Sequence, residues 1–171
     1  MALCPAPTTR LRFREMVPGD LDDVTAVLSA PDPVRVDRRV RTRADAERWI
    51  AWNQRNYAEH GFGLWVLETH DGAFVGDCGL TVQDVEGEDH VEVGWHVMPH
   101  LRGQGLATEA GAAVRDHARD LGVEHLVALV RPANVPSVRV AAKIGLLLER
   151  HAWVHGGDAL VLGADLTRSG G

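Results

Sequence analysis

The chain has 171 residues, a formal net charge of −6, 45% hydrophobic and 25% charged residues, and two cysteines. That length favours one domain, 1–171, able to bury a core without disulfide or zinc staples. The acidic balance argues against a nucleic-acid backbone or an anionic membrane surface as the main partner, while staying compatible with a cationic substrate. No stretch approaches the ~18 apolar residues of a membrane span. The first residues lack a signal-peptide pattern, so a reducing cytoplasm is the expected setting. Cys78 lies in an apolar run and reads as a buried, inert thiol.

Residues 1–8 are small and Pro-rich and read as a disordered tail. Leu11 and Phe13 predict a first strand within Arg10–Val17. Pro18-Gly19-Asp20 turns into a helix that Gly19 or Asp20 can cap, with Leu21, Val24, Val27 and Leu28 as its apolar stripe. Arg35, Arg38, Arg39 and Arg41 make 34–42 strongly basic, either a solvated loop or an entrance that steers an anionic group. Thr42 can cap a second helix over 43–59, with Ala46, Trp49, Ile50, Asn53 and Tyr57 along one side and Trp52 close by.

Three antiparallel strands are expected next, at 64–69, 74–82 and 90–97, joined by His70-Asp71-Gly72 and by a loop at Glu86–Asp89. A helix from Leu106 stops at Gly122, and an apolar run follows at 125–130. This strand–helix–strand crossover requires the strands at 90–97 and 125–130 to run parallel. A short helix ended by Gly145 follows, then strands at 146–154 and 158–166 and a tail at 168–171 expected to be disordered.

Val91–Ala110 carries the densest chemical signal. Its strand breaks at Met98-Pro99-His100 and passes through Arg102, Gly103, Gln104 and Gly105 into the helix at Leu106, Ala107 and Thr108. The first amides of a helix have no intrahelical partner, and the helix dipole adds partial positive charge there, so this turn suits a pyrophosphate. A dinucleotide fingerprint fails, because its third glycine is absent and Glu124 precedes the next strand instead of ending it. No Gly-Lys-Ser/Thr follows the turn either. The histidines form no metal-ligand pattern. By two-residue alternation Glu92, Gly94, His96 and Met98 share one face of the strand.

The order of elements, with Arg102–Ala107 and with Asn134-Val135-Pro136-Ser137 ahead of Ala141–Leu146, resembles the GNAT superfamily of N-acetyltransferases. Phe74–Leu80 and Glu92–Trp95 resemble its RimJ/RimL-type branch, which includes acetyltransferases of ribosomal-protein N-termini. The resemblance runs from about Arg10 to Leu166. It implies an α/β fold with a mixed, mostly antiparallel sheet of about seven strands and about four helices, in which a splayed parallel strand pair binds acyl-CoA. It further implies acetyl-CoA as donor and an amine as acceptor. Arg102, Gly103, Gln104, Gly105, Leu106, Ala107 and Thr108 would hold the pyrophosphate. Trp95, His96, Val97 and Asn134 would hold the pantetheine, with a main-chain amide for the oxyanion.

Direct attack on the thioester needs a neutral amine and therefore a base. Glu92 is the first candidate, since the family often uses a glutamate on this strand. His96 is the second, with a side chain that titrates near neutrality. Each has an alternative reading as a structural group. Many relatives protonate the leaving thiolate with a tyrosine after the 125–130 strand. The only tyrosine here is Tyr57, far upstream, and Ser137 occupies that place as in the RimL-like solution. Asn134 also suits an N-cap. The acceptor stays open among a protein N-terminus, a polyamine-like or amino-acid amine and an aminoglycoside-type drug, in a pocket expected from Trp49, Trp52, Tyr57, 34–42 and Trp153. The missing tyrosine keeps a non-catalytic CoA-binding module as the competing class. A homodimer is compatible with the sequence.

Overall fold

The computed structural model describes residues 3–31 and 41–167. The expectations for Arg35, Arg38 and Arg39 and for 168–171 lie outside the described residues. The strands are β1 (Leu11–Arg14), β2 (Leu64–Thr69), β3 (Phe74–Val85), β4 (Glu88–Val97), β5 (His125–Val130), β6 (Leu147–Val154) and β7 (Gly157–Asp165). The helices are α1 (Leu21–Ser29), α2 (Arg43–His60), α3 (Leu106–Asp120) and α4 (Val135–Lys143). Among the described residues all seven strands join one sheet in the order β1-β2-β3-β4-β5-β7-β6. Every neighbouring pair is antiparallel except β4–β5, which the α3 crossover makes parallel. This is the mixed α/β architecture expected from the resemblance.

Alternation along β2 assigns the two faces of the sheet. Trp65 and Leu67 pack with Ala110, Val114 and Ala118 of α3 and with Ile144 after α4. Leu64 and Val66 pack with Val24 and Leu28 of α1 and Ala46 and Ile50 of α2. A third cluster, including Val127, Val154 and Val161, joins β5 to the last hairpin. Cys78 is fully buried, and that burial pushes its thiol pKa well up, as an inert thiol requires.

Several boundaries differ from expectation for local reasons. β1 has only four residues, because Met16 turns into the α1–α2 core and Pro18–Asp20 form a 3-10 turn. Asp20 does not cap α1 with its side chain. It accepts from the Val17 amide at 2.8 Å and binds both terminal nitrogens of Arg14, at 2.7 and 2.9 Å. β3 and β4 extend toward each other because Glu86 and Gly87 close a two-residue turn with φ of 55° and 92°. Of the tail expected at 1–8, Cys4 packs on the core and Thr8 Oγ donates to Glu109 at 2.6 Å.

The feature that positions the site is a split in the sheet. β4 and β5 pair only at Val91 with Leu126 and Glu92 with Val127. Beyond that point β4 stays registered on β3 through Val97, and β5 stays on β7 through Val130. The two strands therefore part.

Candidate active site

The parting strands open into a cleft of about 930 Å³. Met98 N–H returns to Val75 on β3 at 2.9 Å. Main-chain groups alternate along an antiparallel strand, so those of Val93, Trp95 and Val97 turn away from β3, toward the gap. Arg102 Nε donates to the Val97 carbonyl at 3.1 Å and so ties the turn after β4 to the strand end. The Val97 side chain itself is buried.

Side chains on β4 alternate as expected. Trp95 points to the α4 side, where its Nε1 donates to Ser137 Oγ at 3.3 Å. The Ser137 amide donates to Asn134 Oδ1 at 3.3 Å, which makes Asn134 the N-cap of α4. Trp95, Asn134 and Ser137 all line the cleft. Glu92 and His96 face the α2 side and line it too. The His96 ring meets Trp49 edge-on, with centroids 5.8 Å apart. Met98 packs in the α1–α2 cluster instead. Glu92 is half-buried at the point where the strands part. Burial pushes its carboxyl up to about 8, with the attraction of His96 acting the other way.

One member of this group escapes the sequence reading. Asp77 on β3 lies opposite His96 in register, and its Oδ1 is 2.7 Å from His96 Nδ1. Asp77 is 1% exposed, and its Oδ2 has no hydrogen-bond partner among the described residues. An ionised carboxylate can only accept, so Nδ1 is the donor of this contact and the ring is held in one orientation. The signal available in the sequence was an acid inside the apolar run of a strand predicted to pair with that of His96. The strands are held close here. A Cβ on Gly76 would fall 1.9 Å from the His96 carbonyl oxygen.

At the other end of β4, Gly103 and Gly105 adopt φ of 76° and 80°. Gly105 is the N-cap of α3 and brings no side-chain cap. The first intrahelical bond runs from Glu109 N–H to Gly105 at 3.0 Å, so the amides of Leu106, Ala107 and Thr108 have no helical acceptor. Arg10 braces this turn, a second role the sequence did not reveal. It donates to the Gln104 carbonyl at 2.8 Å and pairs with Glu109 at 2.7 Å. Glu109 would otherwise place negative charge on the helix end.

Two aromatic expectations are corrected. Tyr57 does not line the cleft. Its hydroxyl accepts from Met16 N–H at 3.1 Å and donates to the Leu64 carbonyl, which pins α2 to the sheet. Trp153 is 66% exposed and stands outside the cleft, because alternation along β6 turns Ala152 and Val154 inward. Val154 and His155 form that wall, and Arg41, Trp49 and Trp52 form the opposite one.

Residues 10–147 match the model of the acetyltransferase (GNAT) domain. The chain belongs to the GNAT family. The uncharacterized protein YkkB of Bacillus subtilis is 33% identical over 144 residues, which cover 81% of this chain and 83% of YkkB. An acetyltransferase from Agrobacterium tumefaciens superposes with a TM-score of 0.78 at 24% identity, over 96% of this chain and 95% of its own. YncA from Salmonella typhimurium, solved with its cofactor acetyl-CoA, superposes with a TM-score of 0.74 at 19% identity, over 94% of this chain and 96% of its own. The two solved structures share the GNAT fold with this chain. Among the described residues no group of three or more His, Cys, Asp or Glu is placed to hold a metal ion. Among them, too, no helix is long and apolar enough to cross a membrane.

Proposed function

We propose that this GNAT protein is an N-acetyltransferase that moves an acetyl group from acetyl-CoA to a primary amine by direct attack in a ternary complex. The observation that carries this reading is the junction of two features: an uncapped, glycine-flanked helix N-terminus and a sheet that splits from Glu92 onward. The first suits a pyrophosphate and the second a slender amide-bearing arm. The amides of Leu106, Ala107 and Thr108 would take the pyrophosphate, with Gly103 and Gly105 allowing close approach and Gln104 and Arg102 shaping the turn. The pantetheine would lie along Trp95 and His96, past Asn134, with a main-chain amide turned toward the thioester oxygen. YncA, solved with acetyl-CoA on the same fold, supports that donor.

In the reaction the amine lone pair forms the C–N bond, and the thioester oxygen carries the charge of the tetrahedral adduct. The C–S bond then breaks and the CoA thiolate leaves. The amine gives up a proton to a base, and the thiolate gains one. Glu92, with its carboxyl raised to about 8, is the base we favour, and His96 with Asp77 behind it is the second. Ser137 accepts from Trp95 Nε1, which leaves its own O–H available to donate to the sulfur or relay a proton to it. The RimJ/RimL-like segments support a protein N-terminal amine as one acceptor class alongside small amines. Two unpaired cysteines fit a reducing cytoplasm.

The test is thiol release from acetyl-CoA against a panel of amines and peptides. Turnover with the acetylated amine as product supports the enzyme. Tight acetyl-CoA binding with no turnover on any acceptor supports a non-catalytic module of the same fold.

A further inference from the structure

The α2 wall of the cleft is built from arginine and tryptophan. Arg41, just ahead of the helix, and Arg48, Trp49, Trp52 and Arg55 on it all line the cleft. Positions 48, 52 and 55 recur at i, i+4 and i+7, so they form one stripe of the helix. Arg41 and Arg55 form no ion pair with any described residue. Arg48 pairs with Asp45 at 2.5 Å, and Asp45 is also held by the Thr42 amide at 2.7 Å. Among the described residues the other acid lining the cleft is Glu92, at its chemical end. Arg131, on the far wall, is engaged with the carbonyls of Val154 and Asp158, at 2.7 and 2.8 Å. Among the described residues, the positive charge without an acidic partner therefore sits on the α2 face of the sheet, the face opposite α3 and its glycine turn.

We infer that the acceptor is a small amine that also carries a carboxylate or phosphate. Arg48, Arg55 and Arg41 hold the anion, and its carbon frame lies against Trp49 and Trp52. This rests on the acyltransferase reading above. The Trp49 ring links the two ends of the site, with Trp52 at 5.4 Å on one side and His96 at 5.8 Å on the other. A polyamine or an aminoglycoside would bring cations to a cationic wall, despite the acidic charge of the chain as a whole. Arginines near the amine also disfavour its ammonium form, so the groups that hold the anion raise the fraction able to attack.

The experiment compares matched acceptors in the thiol-release assay: L-phenylalanine with L-phenylalaninamide, O-phosphoethanolamine with ethanolamine, plus putrescine and a neutral peptide. The anionic member of at least one pair should exceed its neutral partner by about tenfold or more in kcat/KM, through KM. Which pair responds tells carboxylate from phosphate. Arg55→Gln and Arg48→Gln should erase that preference with acetyl-CoA affinity intact. Equal or better turnover of the neutral, peptide or cationic acceptors overturns the inference, as does a preference that survives both substitutions. Absence of turnover on every amine defeats the acyltransferase reading. The anion site is then read separately, with CoA saturating, by quenching of tryptophan emission with N-acetyl-L-phenylalanine and with inorganic phosphate. Saturable quenching lost in Arg55→Gln supports the site, and no saturable quenching by either probe overturns it.

Discussion

Asp77 Oδ1 lies 2.7 Å from His96 Nδ1, a cross-strand contact in which a buried carboxylate backs a cleft-lining imidazole. In the proposed reaction Asp77 acts through His96, as a positioning residue. Asp77→Asn should lower kcat by about tenfold or more and reshape the pH–rate profile, with acetyl-CoA affinity unchanged. A pairing that matters only for the fold would lower the melting temperature and leave the pH profile as it was.

Glu92 makes a prediction with two signs. A carboxyl raised to about 8 is mostly protonated at neutral pH, so the rate should climb as pH rises through 8. Glu92→Gln should remove that limb and lower kcat by roughly 10²–10⁴, with little change in acetyl-CoA binding. Stability runs the other way. The folded carboxyl holds its proton more tightly than the unfolded one, whose value is 4.5, so stability falls as pH rises from there through about 8. The variant should therefore melt above the parent at high pH, by a margin that grows from about pH 4.5 to about 8 and is constant beyond. An unaltered pH–rate profile would remove Glu92 as the base.

At the turn proposed to hold the pyrophosphate, Gly105→Glu places a negative charge and a side chain at the α3 N-terminus, at a φ of 80°. The backbone penalty is about 1–2 kcal/mol, which leaves the fold intact. Acetyl-CoA affinity measured by titration calorimetry should fall by about a hundredfold or more through repulsion and blocked amides. Unchanged affinity refutes the site. Gly105→Ala, with no charge, should keep much more of the binding.

Gly76→Ala tests how tightly β3 and β4 are held beside His96. The new Cβ would meet the His96 carbonyl at 1.9 Å, and backbone cannot rotate out of its way. A cost of about 1–3 kcal/mol is expected, a drop of several degrees in thermal unfolding. Melting at the parental temperature would mean that the strands separate there without penalty.

Periodicity and local chemistry make much of this fold legible in the sequence. The β4–α3–β5 crossover follows from element order, and the Asn134 cap from a residue only three positions from its donor. The Asp77–His96 pair needs the β3–β4 register, which no local pattern supplies. The Arg10 brace joins residues 99 positions apart. Tyr57 sits on the aromatic stripe of α2, yet its hydroxyl finds two main-chain partners and turns structural. Arg48 and Arg55 carry no functional signal in the sequence, where they are only polar positions of the 43–59 helix. Only the split between β4 and β5 gives them a cleft to face.

That split also has a mechanical side. It divides the sheet into a block of β1 to β4 and a block of β5 to β7, which share a ladder only two residues long. The backbone ladder is thinnest along this seam, and the shared core together with Arg150–Glu86 at 2.9 Å carries the rest of the connection. A ligand bonded to both lips acts as a cross-brace. Occupancy would then be felt across the molecule as stiffness, visible as slower amide exchange in strands that never touch the ligand.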